Sequence, residues 1–294
     1  DFSCNRQETA MQNATASWTA IYTSIARAAH QVLDQHPKVV DDPVVVGLVE
    51  GSSAAQIQAR ADDFQGPVQC LARALFVMRN RLAEDELHRA VAAGAGQYLM
   101  LGAGLDTFAY RQPDWARGIR LIEVDHPASQ ACKRDYLHAA RIGIPRNLSF
   151  CAMDFERMTL RQGLETVGFD PQVPAFLSWL GVTQYLERAA IQRTLEDVLA
   201  LPVGSGLVMS FIIKDPGLDG LDQEAVQVFS SLAAARGEPW ISRFDPGQLQ
   251  HWLLELGFAE ALLVAPAELE QRYFAGRTDR LRAPVFEQLV IARV

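Results

Sequence analysis

Apolar positions recur every three or four residues through the first third of the chain, and near residue 97 that spacing changes. Residues 14–93 read as helical. Trp18, Ile21, Ile25, Ala28, Ala29 and Val32 fall on one stripe of a first helix, and Pro37 and Pro43 interrupt the pattern. A second helix carries Val68, Leu71, Leu75, Met78 and Leu82 on one face, continues toward Leu87 and Val91, and stops before Gly94 and Gly96. Its polar members Arg73 and Arg81 are expected on a solvated face. From Gln97 onward, short apolar runs at 97–101, 119–124, 147–151, 174–179 and 206–213 predict strands, with helices near 127–140, 158–167 and 188–200 between them. A helix near 222–236 follows, then a sharply bounded one. Asp245 caps it, Pro246 takes its first turn, Leu249, Trp252, Leu253 and Leu256 line one side, and Gly257 ends it. Strands at 258–264 and 285–293 close the series. Alternation of this kind predicts an α/β fold whose mostly parallel, seven-stranded sheet is covered by helices on both faces.

The segment 97–107 carries the chemistry. An apolar strand runs into a glycine turn, Gly102-Ala103-Gly104, from which a helix is expected to start. A second strand ends in Asp125, about twenty residues on, where an acid is placed to accept the hydroxyls of a ribose. Two cofactor classes compete. A dinucleotide site usually has a third glycine, and here that place holds Thr107 with Asp106 beside the turn. An acid and no third glycine suit a cofactor without phosphates, such as the cationic S-adenosylmethionine; a nicotinamide oxidoreductase is the alternative from another enzyme class.

Composition narrows the partners. A chain of 294 residues with 49% hydrophobic and 21% charged residues builds a large core. A net charge of −8 without a basic cluster argues against nucleic acid as substrate. Cys4, Cys70, Cys132 and Cys151 show no metal or disulfide spacing, so no metal is expected and a reducing cytoplasm is the expected compartment. No apolar run reaches the ~18 residues of a membrane span, and residues 1–8 hold no signal-peptide core. A small molecule is therefore the expected partner; the oligomeric state is not written in the sequence.

Four motifs stand in order along the chain: Leu101-Gly102-Ala103-Gly104-Leu105-Asp106-Thr107 with Ala109-Tyr110-Arg111, then Glu123-Val124-Asp125-His126-Pro127, then Asp154-Phe155. The fourth is Phe176-Leu177-Ser178-Trp179-Leu180-Gly181-Val182-Thr183-Gln184-Tyr185-Leu186. Taken together they resemble the leucine carboxyl methyltransferase and polyketide-synthesis O-methyltransferase group, within the class I, Rossmann-like methyltransferases. The resemblance implies S-adenosyl-L-methionine as cofactor and methyl transfer to oxygen, commonly of a carboxylate. It implies a helical lid over 1–93 and a methyltransferase domain over 94–294. By position it assigns Arg79 to the cofactor's carboxylate, Gly102 to Gly104 to the turn beneath it and Asp125 to the ribose. Asp154 and Phe155 are assigned to the adenine, and His126 to a strand-end contact. Asp125 is also placed to cap the helix that follows it. Leu180 stands where many members carry Glu, which implies an altered acceptor, weaker cofactor binding or lost transfer.

On the acceptor side the resemblance points to Tyr185, with Tyr22 and His30 on the lid helix as further candidates. No His has a recognisable catalytic spacing. A carboxylate, with a pKa near ~4, arrives ionised and needs no base, whereas a phenol near ~10 benefits from one. The expected reaction is O-methylation of a small secondary-metabolite-like carboxylic acid; a hydroxyl acceptor is the nearest alternative, and a cofactor-binding protein without transfer activity is a third.

Overall fold

A computed structural model describes residues 17–214, 217–218 and 220–294. Cys4, residues 1–8 and the start of the helical reading at 14–16 lie outside the described residues. Three helices come first: α1 (Trp18–Leu33), the single-turn α2 (Ala54–Ala59) and α3 (Pro67–Ala92). Then follow β1 (Gln97–Leu101), β2 (Arg120–Asp125), α4 (Pro127–Ala139), β3 (Leu148–Ala152), α5 (Leu160–Leu164), β4 (Ala175–Trp179), α6 (Arg188–Leu199) and β5 (Gly206–Ile212). The chain continues through α7 (Gly220–Ala234), α8 (Pro246–Leu256), β6 (Glu260–Val264), α9 (Pro266–Tyr273) and β7 (Glu287–Arg293).

The strands form one sheet in the order β3-β2-β1-β4-β5-β7-β6. β1 pairs in parallel with β2 and β4, and β7 runs antiparallel between β5 and β6. Alternation along β1 sends its side chains into two cores. Tyr98 and Met100 join Leu71, Met78 and Leu82 of α3, whereas Leu99 and Leu101 join Ile191 and Leu195 of α6 and Leu249 and Leu253 of α8. Helices thus cover both faces. Because the sheet order reverses at β1, the crevice at its carboxyl end is the natural ligand position. No helix among the described residues is long and apolar enough to cross a membrane.

Three local expectations differ. No α-helix follows the glycine turn; single 3₁₀ turns occupy Phe108–Tyr110 and Asp114–Ala116. The Asp106 carboxylate accepts the Phe108 N–H at 2.8 Å, two residues on, closing a local turn that competes with helix formation. Between Leu33 and Ala54 no α-helix forms, and Pro43 instead starts a 3₁₀ turn. An unexpected helix, α9, buries Leu269 alone, too little apolar stripe to register as a period. The bounded helix forms with Asp245 accepting the Gln248 N–H and Gly257 in the left-handed region at φ 117°.

Candidate active site

The carboxyl ends of β1, β2 and β4 open into a cavity of about 430 Å³. At the end of β1 the backbone doubles back over β2: the Gly102 and Ala103 N–H groups both donate to the Val124 carbonyl, at 2.7 and 3.1 Å. Gly102 (φ 66°) and Gly104 (φ 46°) take left-handed conformations. A Cβ on Gly102 would stand 2.3 Å from Val182 Cγ2, so that glycine is required by the loop after β4 as well as by the turn.

Asp125 ends β2 and faces the same cavity. Its Oδ2 accepts the Gly104 N–H at 2.5 Å and its Oδ1 accepts the His126 N–H at 2.7 Å. Burial pushes its carboxyl up, against those two bonds and the charges of Lys133 and His126, which pull it down. Each carboxylate oxygen keeps a further lone pair for a ligand hydroxyl. Asp125 does not cap α4. The cap is His126, exposed, whose Nδ1 accepts the Ala128 N–H at 3.3 Å. Past β3, Asp154 accepts the Glu156 N–H at 3.0 Å, and the Phe155 ring, 8% exposed, stacks on Trp179 at 6.0 Å. Ala103, Asp125, His126, Asp154, Phe155 and Leu180 all line the cavity.

The opposite wall comes from α1, α3 and distant loops. Arg79 lies on α3 with its guanidinium 4.9 Å over the Phe76 ring, and its Nη1 donates to Glu287 Oε1 at 3.0 Å. Both side chains are nearly buried, at 11% and 4% exposure, and Arg79 Nε has no hydrogen-bond partner. The guanidinium rests flat against Gly181, where a Cβ would meet Nη1 at 2.4 Å. Tyr185 lines the same wall, its O–H donating to Thr19 Oγ1 at 3.3 Å and its oxygen accepting the Trp240 Nε1–H at 3.4 Å. Thr19 in turn donates to Glu238 Oε2 at 2.5 Å. Burial raises the Tyr185 hydroxyl above the usual phenol range, so at neutral pH it stays a proton donor.

His30 is a correction. Its side chain is fully buried away from the cavity: Nδ1 bonds Asp34 Oδ2 at 3.0 Å and Nε2 accepts the Val39 N–H at 3.1 Å. Burial lowers its pKa, against the pull of Asp34, so the ring is neutral and structural. Arg73 is likewise buried, donating Nε and Nη2 to the two oxygens of the same Asp34 at 2.9 and 2.8 Å. Tyr22 lines a cleft beside the cavity, stacked 5.3 Å from Trp18, and burial lifts its hydroxyl to about 12.

Sequence reading missed several wall residues. Arg27, 5% exposed, donates to the Leu105 carbonyl at 2.5 Å, to Thr107 Oγ1 at 3.2 Å and to Asp42 Oδ2 at 3.3 Å, tying α1 to the glycine turn. A signal existed: Arg27 is the one Lys, Arg, Asp or Glu between Trp18 and Leu33. Thr19, Glu238, Trp240 and Glu287 carried none.

Comparison with known proteins bears on the family and the fold. A family model described as leucine carboxyl methyltransferase matches residues 20–199. The chain is 28% identical over 294 residues to YktD of Bacillus subtilis (strain 168), a proposed S-adenosyl-L-methionine-dependent methyltransferase, covering 93% of this chain and 96% of that protein. It is 32% identical over 196 residues to Franean1_4929 of Parafrankia sp. (strain EAN1pec), which carries the same description, covering 65% of this chain and 61% of that protein. The fold resembles the crystal structure of a DUF574 family protein from Streptomyces avermitilis MA-4680, with TM-score 0.55 and 18% identity over 95% of this chain and 97% of that one. A candidate methyltransferase from Thermobifida fusca YX resembles it similarly, with TM-score 0.54 and 18% identity over 94% and 97% of the two chains. Sheet order, strand-end acids and family match converge: the chain has the class I S-adenosylmethionine-dependent methyltransferase fold and belongs to the leucine carboxyl methyltransferase family.

Proposed function

We propose that this protein transfers the methyl group of S-adenosyl-L-methionine to the carboxyl oxygen of a small molecule. The observation that carries the reading is the chemistry of the wall around Tyr185. The ionisable side chains there are Arg79, Tyr185 and Glu238, with Tyr22 and Glu287 in the adjoining cleft. Arg79 is paired with Glu287; Tyr185 and Tyr22 hold their protons; and Glu238 is engaged by Thr19. None is a base matched to a phenol or alcohol at neutral pH. A carboxylate needs none, because it already carries the nucleophilic charge.

The cavity fits the cofactor by its donor set. Asp125 holds the ribose hydroxyls on its remaining lone pairs, Asp154 pairs with the adenine amino group, and Phe155 covers the ring. Gly102, Ala103 and Gly104 pass beneath, with His126 and Leu180 at the margins. Arg79 binds the carboxylate of the methionine portion. The cofactor supplies a methyl group on a sulfonium, ready for direct displacement. The protein contributes alignment and exclusion of water. Tyr185 directs its O–H to the acceptor group, and α1 forms the lid, clamped by Arg27 on one side and the Thr19–Glu238 bond on the other.

Leu180 does not leave this site short of a carboxylate. Arg79 lies against Gly181, and Glu287 supplies the counter-charge from β7. That pairing supports retained transfer over a binding protein without activity.

Incubation with methyl-labelled cofactor and a panel of small acids tests the proposal. The expected product releases methanol in mild alkali, as a methyl ester does. An alkali-stable product, or a rate rising with pH through a single ionisation, assigns the acceptor to a hydroxyl instead.

A further inference from the structure

Beside Tyr185 the cavity narrows into a second chamber, which shares Thr19, Thr23, Phe76, Arg79, Gly181 and Tyr185 with the first. Its walls are aromatic: Trp18, Tyr22, Phe76, Phe229, Trp240 and Phe286. These rings are ordered against one another. Trp18 stacks on Tyr22 at 15° between planes, Phe76 meets Tyr22 edge-on at 87°, and Phe229 lies 6.2 Å from Phe286. Such walls favour a flat π-system entering offset or edge-on.

Two polar atoms in this apolar chamber have no partner. Gln184 is 3% exposed, lines the cleft, and its Oε1 accepts no hydrogen bond. Arg79 Nε, also at the cleft, donates none. Leaving such groups unpaired is costly, and a ligand that pairs them gains in proportion. Arg79 faces the cofactor's carboxylate, which meets its donor, so the acceptor molecule is left to supply a donor to Gln184 Oε1.

Resting on the carboxyl-methylation reading, we infer that this cleft is the acceptor subsite and takes an aromatic carboxylic acid bearing a hydroxyl or amino group on its ring. The ring lies among the aromatic walls and the ring substituent donates to Gln184 Oε1. The carboxylate sits at the mouth beside Tyr185, toward the cofactor. The oxygen–methyl bond forms as the sulfur–methyl bond breaks, its electron pair returns to sulfur, and no proton moves. The cleft measures about 40 Å³, against about 150 Å³ for a cavity that holds benzene. Binding a ring therefore requires the cleft to widen among its half-buried walls, Trp18, Tyr22, Phe229 and Trp240.

The test compares three acids, 4-hydroxybenzoate, benzoate and hexanoate. Calorimetry is run in the presence of S-adenosylhomocysteine, followed by transfer from labelled S-adenosylmethionine. The expected result is that 4-hydroxybenzoate binds about 10-fold or more tightly than benzoate, with hexanoate weakest. Gln184→Leu is expected to erase the advantage of the hydroxyl while S-adenosylhomocysteine binds as before. Should that variant not fold, the ranking of the three acids on the unmodified protein decides alone. Ring acids that bind in this order and are esterified support both readings. Ring acids that bind in this order without methyl transfer support the cleft and overturn the methylation reading. Hexanoate esterified as well as the ring acids, or no preference for the hydroxyl, overturns the cleft and leaves methylation standing. If none of the three acids binds, the cleft assignment is overturned.

Discussion

The two halves of the cavity are built in opposite ways. The half holding Asp125, Asp154 and Phe155 is made from consecutive strand ends, and its bonds are short-range in the chain. Asp125 reaches Gly104, twenty-one residues away, and His126, its neighbour. The half holding Tyr185 is assembled from remote pieces. Thr19 bonds Glu238 across 219 residues, Tyr185 bonds Thr19 across 166, and Arg79 bonds Glu287 across 208. The first half comes with the sheet itself, whereas the second exists only once the whole chain has packed. Damage to the first should cost affinity, and damage to the second should cost the fold or the acceptor.

The largest effect is expected at Glu287. Glu287→Ala strands the Arg79 guanidinium in a nearly dry wall, and breaking a buried ion pair from one side costs about 3–5 kcal/mol. Denaturant unfolding should show the midpoint falling steeply. An unchanged midpoint would remove the pair from the structural frame of the acceptor half.

Next comes Asp125→Ala, which removes a charged acceptor from the strand-end half. Calorimetry with S-adenosylhomocysteine should show affinity weakened by about 1–3 kcal/mol, with the acceptor wall intact. Equal affinity in the variant would contradict the ribose assignment.

Acid should separate the halves. His30 has a lowered pKa in the fold and so binds fewer protons folded than unfolded below its ordinary 6.5. Asp34 is also lowered, chiefly by its bonds to His30 and Arg73 against burial, so its stabilisation is present above its ordinary 3.8 and lost as pH falls further. Both make stability fall as pH falls, His30 from near neutrality and Asp34 only in stronger acid, with a limiting slope of about 1.4 kcal/mol per pH unit for each proton taken up. These groups join α1, which carries Thr19, to α3, which carries Arg79. Between pH 7.5 and 5.5 the thermal midpoint should drop, and His30→Gln should flatten that dependence. A slope that survives the substitution would assign it elsewhere.

The smallest effect is expected from Thr19→Val, which cuts the Trp240–Tyr185–Thr19–Glu238 chain at one half-buried link. A loss of about 0.5–1.5 kcal/mol in transfer efficiency should appear as a raised KM for the acceptor, with cofactor affinity unchanged. A matching loss of cofactor affinity would merge the two halves into one unit.

This division also explains what the sequence made readable. The seven strands were legible because each is a short apolar run between turn residues, and observed edges differ by one or two positions. The placement of Gly102, Gly104 and Asp125 at the cavity was legible because a strand, its turn and the next strand end are local grammar, whereas that of Phe155 came from the family resemblance. His30 was misplaced because a buried histidine bonded to Asp34 and a surface one share the same helical spacing. Glu287 was invisible because its role depends on β7 entering the sheet antiparallel between β5 and β6, which no local pattern records. The expected helix after the glycine turn failed for a local reason, the Asp106 side chain outbidding the next helical turn for the Phe108 N–H.

The position of β7 also sets an order of events during synthesis. Arg79 is translated 208 residues before Glu287, so at about 5–20 residues per second roughly 10–40 s separate the two partners on the ribosome. Through that interval the nascent sheet can align β1 to β5, yet the guanidinium has no carboxylate from the last strand to meet it. The wall around Tyr185 is thus a late checkpoint: a growing chain acquires the strand ends that carry Asp125 and Asp154 well before it can complete the opposite side of the cavity.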